Sequence, residues 1–297
     1  MKRFFLLLAL LAAVPLELSA QVGCVTAELS VDQQQFMPDE DMNISLQIMN
    51  RSGQTVEFGK DPAWVTFSIQ GENNMVAQNM GEVPTGGEFS LISGQMGTKH
   101  FNLAPYFSFH QTGHYRVVAT VRIPQWNQEI TSKPATFSVM NGAPVPNLPD
   151  LTFGVPPMSG ETNSLPEVRK YVLLKATYLT EPRIYFRLTD ATGTKTLRTY
   201  PLGRVVSFAQ PDAQLDASSN LHLLYQRAAK SFSYFVINPD GRMLVRQTHD
   251  FTQSRPTLRV DSEGRIYVAG GVRLYRADDW PTPVLSNFQT TTNATNQ

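Results

Sequence analysis

This sequence has very little cysteine and no net charge. Its one cysteine, Cys24, rules out a disulfide within the chain. Its 25 acidic and 25 basic residues cancel, so the chain lacks the basic surface of a nucleic-acid-binding protein and any polybasic segment for anionic lipids. We therefore expect stability to come from packing, and charge indicates no class of partner.

Long apolar runs are confined to the N-terminus. Residues 1–20 have the pattern of a secretory signal peptide, with Lys2 and Arg3 before an apolar run over residues 4–14 and a small-residue cleavage site at Leu18-Ser-Ala20. No other stretch reaches the ~18 apolar residues that a membrane-spanning helix needs. We expect an exported protein without a transmembrane span after signal removal, located in the periplasm, the outer cell envelope or the extracellular space.

Motifs of catalytic and cofactor chemistry are also missing. The sequence contains no Gly-x-Ser-x-Gly, no phosphate-binding glycine loop, no His-Glu-x-x-His and no Cys-x-x-Cys. His110 and His114 lie four residues apart but bracket a turn without a nearby carboxylate, so we interpret them as loop histidines rather than zinc ligands. The sequence thus predicts no catalytic residue, no metal site and no cofactor.

Several polar patterns are weaker candidates for binding. Asp216-Ala-Ser-Ser-Asn220 places oxygen side chains at alternate positions, as a calcium loop does, but Arg227 stands where the bidentate Glu belongs, which favours a polar turn. The acidic pairs in Asp39-Glu-Asp41 and Asp278-Asp279 predict solvated turns. Tyrosines near the later strands are suited to line a groove for sugar or peptide, although sheet packing is the simpler interpretation. They are Tyr178, Tyr185, Tyr225, Tyr234 and Tyr267.

Alternation of apolar and polar residues is the strongest signal that the sequence does contain. The stretch from Gln111 to Ile123 places Tyr115 and every second residue after it on one face, which is typical of a half-buried antiparallel strand. About eight such strands separated by turns precede residue 140. This spacing is typical of a β-sandwich.

The Gly113-x-Tyr115-x-Val117 opening of that strand resembles the tyrosine corner of immunoglobulin-like (Ig-like) sandwiches, in which the Tyr hydroxyl bonds upstream backbone. Together with the turn Asn50-Arg-Ser-Gly53 and the strand Trp64-Val-Thr-Phe67, it resembles exported bacterial Ig-like modules, among them domains built like the BsuPI-type proteinase inhibitors. The resemblance implies that residues 21–140 form an Ig-like sandwich with binding loops. No inhibitory residue can be matched to a position in this sequence.

Cys24 has two interpretations. Gln21-Val-Gly-Cys24 resembles a bacterial lipobox, in which the Cys receives lipid and becomes the new N-terminus, although the family pattern has Leu where Gln21 stands. The alternative is a small buried thiol at the start of the first strand.

Residues 141–166 are rich in proline and predict a linker between two domains. Ser164 and Glu167 have the spacing of a capping box for a short helix, although the residues that follow argue against one. From residue 167 to 280 the sequence repeats with a period of roughly 45–50 residues, the size of a propeller blade. Leu173, Leu223 and Val268 are expected in equivalent strands of these repeats.

The repeats are also similar to known propellers, because Asp261-Ser-Glu-Gly-Arg-Ile266 resembles the blade turns of kelch-like and NHL-like proteins. About two and a half units fit, whereas closing a ring takes about four. The second domain is therefore either a partial propeller-like stack or a compact sandwich of repeated hairpins. We expect its open ends to be covered by the first domain, by residues 151–166 or by a second copy, and favour cover from within the chain. Residues 281–297 are expected to be a disordered tail.

These patterns predict an all-β protein with an N-terminal Ig-like antiparallel sandwich and a C-terminal domain of repeated β-hairpins. They favour a noncatalytic exported cell-envelope protein that binds another protein or a glycan, with lipid anchoring at Cys24 as an open option. Two alternatives remain: an exported hydrolase with an unidentified carboxylate site, and a proteinase inhibitor.

Overall fold

The computed structural model describes residues 24–72, 76–109, 111–155 and 167–281, and over these ranges the chain is all-β. Helical structure includes the short 3-10 turns Pro62–Trp64 and Pro124–Trp126, and no helix of 7 or more residues occurs in the described ranges. None of the helices in this part of the chain has the length and apolar character to cross a bilayer. The predicted signal peptide, His110 and residues 282–297 of the predicted tail lie outside the described residues.

The described residues of the first half of the chain, through residue 140, form ten strands. They are β1 (Val25–Val31), β2 (Gln35–Phe36), β3 (Asn43–Asn50), β4 (Val56–Phe58), β5 (Val65–Gly71), β6 (Phe89–Leu91), β7 (Met96–Asn102), β8 (Gly113–Ile123), β9 (Gln128–Thr131) and β10 (Ala135–Val139). Eight of them lie in two main sheets, one with the order β1–β3–β7 and the other with the order β2–β10–β8–β5 and β9 also paired to β8, while β4 and β6 form a separate two-stranded sheet.

The inward faces of these two sheets share one apolar core. The alternating residues of β8 contribute to it as the sequence predicts, because β8 pairs with β5 on one side and β10 on the other. Trp64, which directly precedes β5, is also fully buried in this core, next to the buried Val65. The reason is the turn Pro62–Trp64, whose Asp61 carboxylate accepts a hydrogen bond from the Ala63 N–H and takes Trp64 out of the alternation of β5.

The second half contains twelve strands, from residue 143 onward. They are β11 (Ala143–Pro144), β12 (Leu151–Val155), β13 (Glu167–Tyr178), β14 (Glu181–Asp190), β15 (Thr196–Arg204), β16 (Asp212–Leu215), β17 (Leu221–Gln226), β18 (Ser231–Ile237), β19 (Met243–Asp250), β20 (Thr257–Val260), β21 (Ile266–Ala269) and β22 (Val272–Leu274).

Two parts of the predicted linker, β11 and β12, belong to the first sheet of the second half. β11 and β12 pair with successive parts of β13, with Pro144 opposite Leu174 and Leu151 opposite Tyr171. Residues 167–178 are strand β13, so the stretch after the possible capping box is not helical, and Ser164 itself lies outside the described residues. The physical reason is that β13 pairs with β14 from Arg169 to Tyr178 and with β12 at its start, so its backbone hydrogen bonds lie between strands.

Three antiparallel units of the second half pack on one another. We call β12–β15 the first meander, β16–β19 the second meander and β20–β21 the terminal hairpin. The two meanders share a core that contains Leu173 of β13 and Leu223 of β17, each in the second strand of its meander. The opposite face of the second meander packs on the terminal hairpin, which contains Val268.

The terminal hairpin has two strands where each meander has four. The chain turns away after β21 at Gly270 and Gly271, which both have positive φ (77° and 65°), and β22 then pairs with β19 of the second meander. Val268 therefore lies in a shorter unit than Leu173 and Leu223 do.

The first half of the chain covers one end of this stack. Met37 packs on Leu174 and Tyr185, which lie on the face of the first meander opposite to its core with the second meander. The Leu179 N–H donates to Gln35 Oε1 at 2.6 Å, and Arg187 Nη2 donates to the Pro38 carbonyl at 3.3 Å. Cover from within the chain, as favoured from the sequence, is thus present at this end, while Tyr267 of the terminal hairpin is exposed at the other.

Candidate binding surface

Trp280 lies beside β19 at the outer edge of the second meander. Its N–H donates to the Arg246 carbonyl at 3.0 Å, and its carbonyl accepts from the Arg246 N–H at 2.8 Å, which is an antiparallel bridge. The residue is nevertheless 54% exposed. The backbone of Trp280 is therefore held by the sheet while much of its indole is open to solvent.

A shallow cavity of about 420 Å³ lies next to this residue. We call it the Trp280 shelf, and its lining residues are Met243, Arg246, Ala277, Asp278, Asp279 and Trp280. It combines an exposed tryptophan with an arginine on a sheet edge, and both residue types are enriched in protein interfaces.

Two arginine–carboxylate pairs hold the charged groups of the shelf. Arg246 Nη2 donates to Asp278 Oδ2 at 2.6 Å, and both side chains are partly exposed. Behind them, Asp279 Oδ2 lies 3.7 Å from Arg273 Nη2, and Asp279 is only 3% exposed. The four charges of these two pairs cancel, although Arg273 lies behind the shelf rather than in its lining.

The predicted solvated turn at Asp278-Asp279 is wrong for Asp279. Its burial follows from the bridge between Trp280 and Arg246, which brings the preceding residue against the sheet edge. Asp279 Oδ2 has no hydrogen-bond partner among the described residues. The shelf therefore contains a buried acceptor without a hydrogen bond.

The short strand β22 supports the shelf from behind. Its Arg273 lies opposite His249 of β19, and the Arg273 guanidinium lies 4.6 Å from the centre of the exposed Tyr275 ring. Burial, followed by the positive charge of Arg273, lowers the pKa of His249. His249 is thus favoured in its neutral form next to the arginine.

A polar cluster that the sequence did not predict is buried where the terminal hairpin covers the second meander. His222 Nδ1 lies 2.7 Å from the Tyr234 hydroxyl, and His222 Nε2 lies 3.2 Å from Asp216 Oδ2. The pairing of β17 with β18 brings His222 and Tyr234 together. No local sequence pattern therefore indicates that they are neighbours. His222 and Tyr234 are both buried, while the Asp216 side chain is partly exposed.

The Asp216 turn itself is the polar turn favoured from the sequence. Asp216 Oδ1 accepts from the N–H groups of Ser218 and Asn220, at 2.8 and 2.9 Å, and Oδ2 accepts from Asn220 Nδ2 at 2.8 Å. Burial raises the pKa of Asp216, but the hydrogen bonds from Asn220, His222 and Ser218 outweigh burial and lower it. The carboxylate oxygens are committed to the protein's own donors.

The tyrosines of the second half serve mainly in packing. Tyr185, Tyr225 and Tyr234 are buried, while Tyr178 is partly buried and Tyr267 is exposed. The exposed aromatic residues next to the shelf are instead Tyr275 and Trp280.

In the first half, Tyr115 makes the contact that was predicted for it. Its buried ring stacks on Phe137 with centroids 5.5 Å apart, and its hydroxyl donates to the Gln111 carbonyl at 2.8 Å. Gly113, two residues earlier, has φ +148°, where a side chain would be strained. The contacts of Tyr115 and the backbone of Gly113 thus belong to the turn before β8 and the packing of its first residues.

The remaining sequence candidates are dispersed. Cys24 lies directly before β1, is partly buried and accepts a hydrogen bond on its carbonyl from the Arg51 N–H at 2.6 Å. His114 Nδ1 lies 2.7 Å from Ser138 Oγ. Across the described ranges, no group of three His, Cys, Asp or Glu side chains is arranged to hold a metal ion.

The predicted solvated turn at Asp39-Glu-Asp41 is wrong for Glu40, which is 3% exposed. Its carboxylate accepts from the Met37 N–H and from Gln33 Nε2, both at 2.8 Å. Burial raises the pKa of Glu40 despite these two hydrogen bonds. Glu40 is buried because it belongs to the segment that packs on the first meander, where Glu40 bridges to Thr199 of β15.

No protein-family model and no curated protein matches this chain. Among solved structures, the chain is similar to the sporulation control protein Spo0M from Bacillus subtilis, with a TM-score of 0.30 and 9% identity over 56% of this chain and 80% of that one. A likeness at this level carries no conclusion about fold or function.

Proposed function

We propose that the protein is a noncatalytic, exported cell-envelope protein that binds another protein or a glycan through its second half. The observation that carries the proposal is the Trp280 shelf, where an exposed indole is held on a hydrogen-bonded sheet edge. Trp and Arg are enriched among the residues that dominate binding energies, and a fixed backbone lowers the entropy lost on binding.

The proposal includes a finer description of the two halves. The first half is an Ig-like sandwich, supported by its two-sheet core and by the bond from Tyr115 to Gln111. The second half is a partial propeller-like stack, supported by the two consecutive meanders. In this arrangement the first half covers one end of the stack, and the shelf and terminal hairpin remain available to a partner.

Binding to isolated cell-envelope material tests the proposal. We expect the wild-type chain to bind saturably and Trp280→Ala to weaken binding by about ten-fold or more. The matched control is Phe208→Ala, because Phe208 is another highly exposed aromatic residue of the second half. Equal binding by the wild type and both variants would show that the shelf does not contribute to binding.

Export is tested separately by mass spectrometry of the protein recovered from producing cells. A chain that begins near Gln21, or one that begins at a lipid-modified Cys24, supports export. A chain that retains Met1 in every compartment contradicts it.

An exported hydrolase is the second candidate, because Glu28 and Glu129 line one cavity of about 640 Å³ between β1 and β9. Two carboxylates near one cavity are the minimum for general acid and base chemistry. One of them is engaged, since Glu129 Oε1 lies 3.3 Å from Arg122 Nε. Turnover of an envelope polymer that is lost in both Glu28→Gln and Glu129→Gln would favour this candidate over the noncatalytic one.

A further inference from the structure

The Trp280 shelf has the chemistry to recognise one class of ligand within the proposed function, and this inference rests on that function. We propose that the shelf binds a neutral pyranose unit of a glycan, with the ring stacked on Trp280. The first argument is shape. One face of a pyranose with equatorial hydroxyls presents only C–H groups, and an exposed indole offers a flat apolar surface of similar width.

The second argument is the set of hydrogen-bonding groups beside the indole. The Arg246–Asp278 pair uses Nη2 and Oδ2, and a guanidinium has further N–H donors while a carboxylate has a second oxygen. Adjacent sugar hydroxyls each donate and accept one hydrogen bond. A partly exposed arginine–carboxylate pair therefore offers both groups that two neighbouring hydroxyls require.

The third argument is charge. Arg246 is balanced by Asp278 and Arg273 by Asp279, so the shelf gives no net attraction to a phosphate, a uronic acid or an amino sugar. A charged ligand would need to break one of these pairs, which leaves an uncompensated charge next to the sheet. A neutral ligand can form hydrogen bonds to an arginine–carboxylate pair without replacing either ion.

The size of the cavity sets the expected affinity. A shallow space of about 420 Å³ accommodates one or two sugar units of a longer chain. For a ligand of this size, a dissociation constant on the order of millimolar is expected. Binding is therefore best measured with oligosaccharides rather than monosaccharides.

The test is titration of the full chain with neutral oligosaccharides (cellohexaose, chitohexaose and maltohexaose), followed by calorimetry and by tryptophan fluorescence. Oligogalacturonate is the anionic comparison. We expect saturable binding of at least one neutral probe, with no binding of oligogalacturonate. Trp280→Ala should weaken binding by about ten-fold or more, whereas Trp280→Phe, which keeps an aromatic ring, should stay within a few-fold of the wild type.

Phe208→Ala serves as the control, and matching denaturation midpoints establish that each variant is folded. The proposal is overturned if no neutral probe binds, if the anionic probe binds more tightly, or if Trp280→Ala binds as well as Phe208→Ala does. If neutral probes fail while envelope binding still depends on Trp280, the ligand is a protein and the proposed function stands without the glycan. If envelope binding is also independent of Trp280, both proposals are wrong.

Discussion

Met37→Ala tests whether the first half of the chain stabilises the second. Met37 lies between β2 and β3, is 2% exposed, and packs on Leu174 and Tyr185 of the first meander. The variant removes the thioether chain and leaves the backbone bond to Glu40 in place. The change therefore acts on the contact between the halves.

The expected magnitude follows from burial. Truncation of a buried methionine to alanine costs about 2–5 kcal/mol. Met140 packs on the same cluster, and a flexible methionine can fill part of the space, so we expect about 2 kcal/mol here. For a chain of this size, that loss corresponds to a fall in Tm of about 4–8 °C.

Native-state hydrogen exchange with mass spectrometry locates the effect. Amides of β13 and β14 should exchange faster in Met37→Ala, although the altered residue belongs to the first half. Met80→Ala is the matched control, because Met80 lies in the first half and is 56% exposed. Unchanged exchange in β13 and β14, together with a loss of stability confined to the first half, would refute the coupling.

Three further predictions follow from single residues. Tyr115→Phe keeps the ring stacked and removes the hydrogen bond to the Gln111 carbonyl. Denaturant titration should show a loss of about 1 kcal/mol in the free energy of unfolding, or up to about 3 kcal/mol if that carbonyl is left unpaired. An unchanged denaturation midpoint would contradict the tyrosine contact. The folded pKa of Glu40 lies above its ordinary 4.5, so the stability it contributes is fully present below that value and is lost as pH rises through the folded pKa. Urea midpoints should therefore favour Glu40→Gln over wild type more strongly at about pH 7 than at about pH 4, and parallel profiles would show that Glu40 is not desolvated. Gly271→Ala should lower the Tm more than Gly264→Ala does, although both glycines have positive φ. A Cβ on Gly271 would lie 2.6 Å from the Asp250 carbonyl oxygen, whereas a Cβ on Gly264 meets nothing within 4 Å. Equal losses of Tm would mean that only backbone strain matters.

The sequence by itself determined the all-β class and much of the strand positioning. Alternation along β8 depends only on the two-residue period of a strand, so it marks Tyr115 and the following inward residues without knowledge of their partners. The spacing of turns and apolar residues likewise placed Leu173 and Leu223 in strands.

Burial of polar residues was decided by the tertiary structure alone. Glu40 and Asp279 stand in acidic stretches that are typical of solvated turns, and each is buried because a distant segment packs on it or pairs next to it. Strand β12 lies in a proline-rich stretch that the sequence predicts to be a linker. It forms because Leu151 and Phe153 pair with residues of β13, which lie further along the chain. The Trp280 shelf exists only because Trp280 pairs with Arg246, 34 positions earlier in the numbering, and no local pattern carries information about a pairing over that separation.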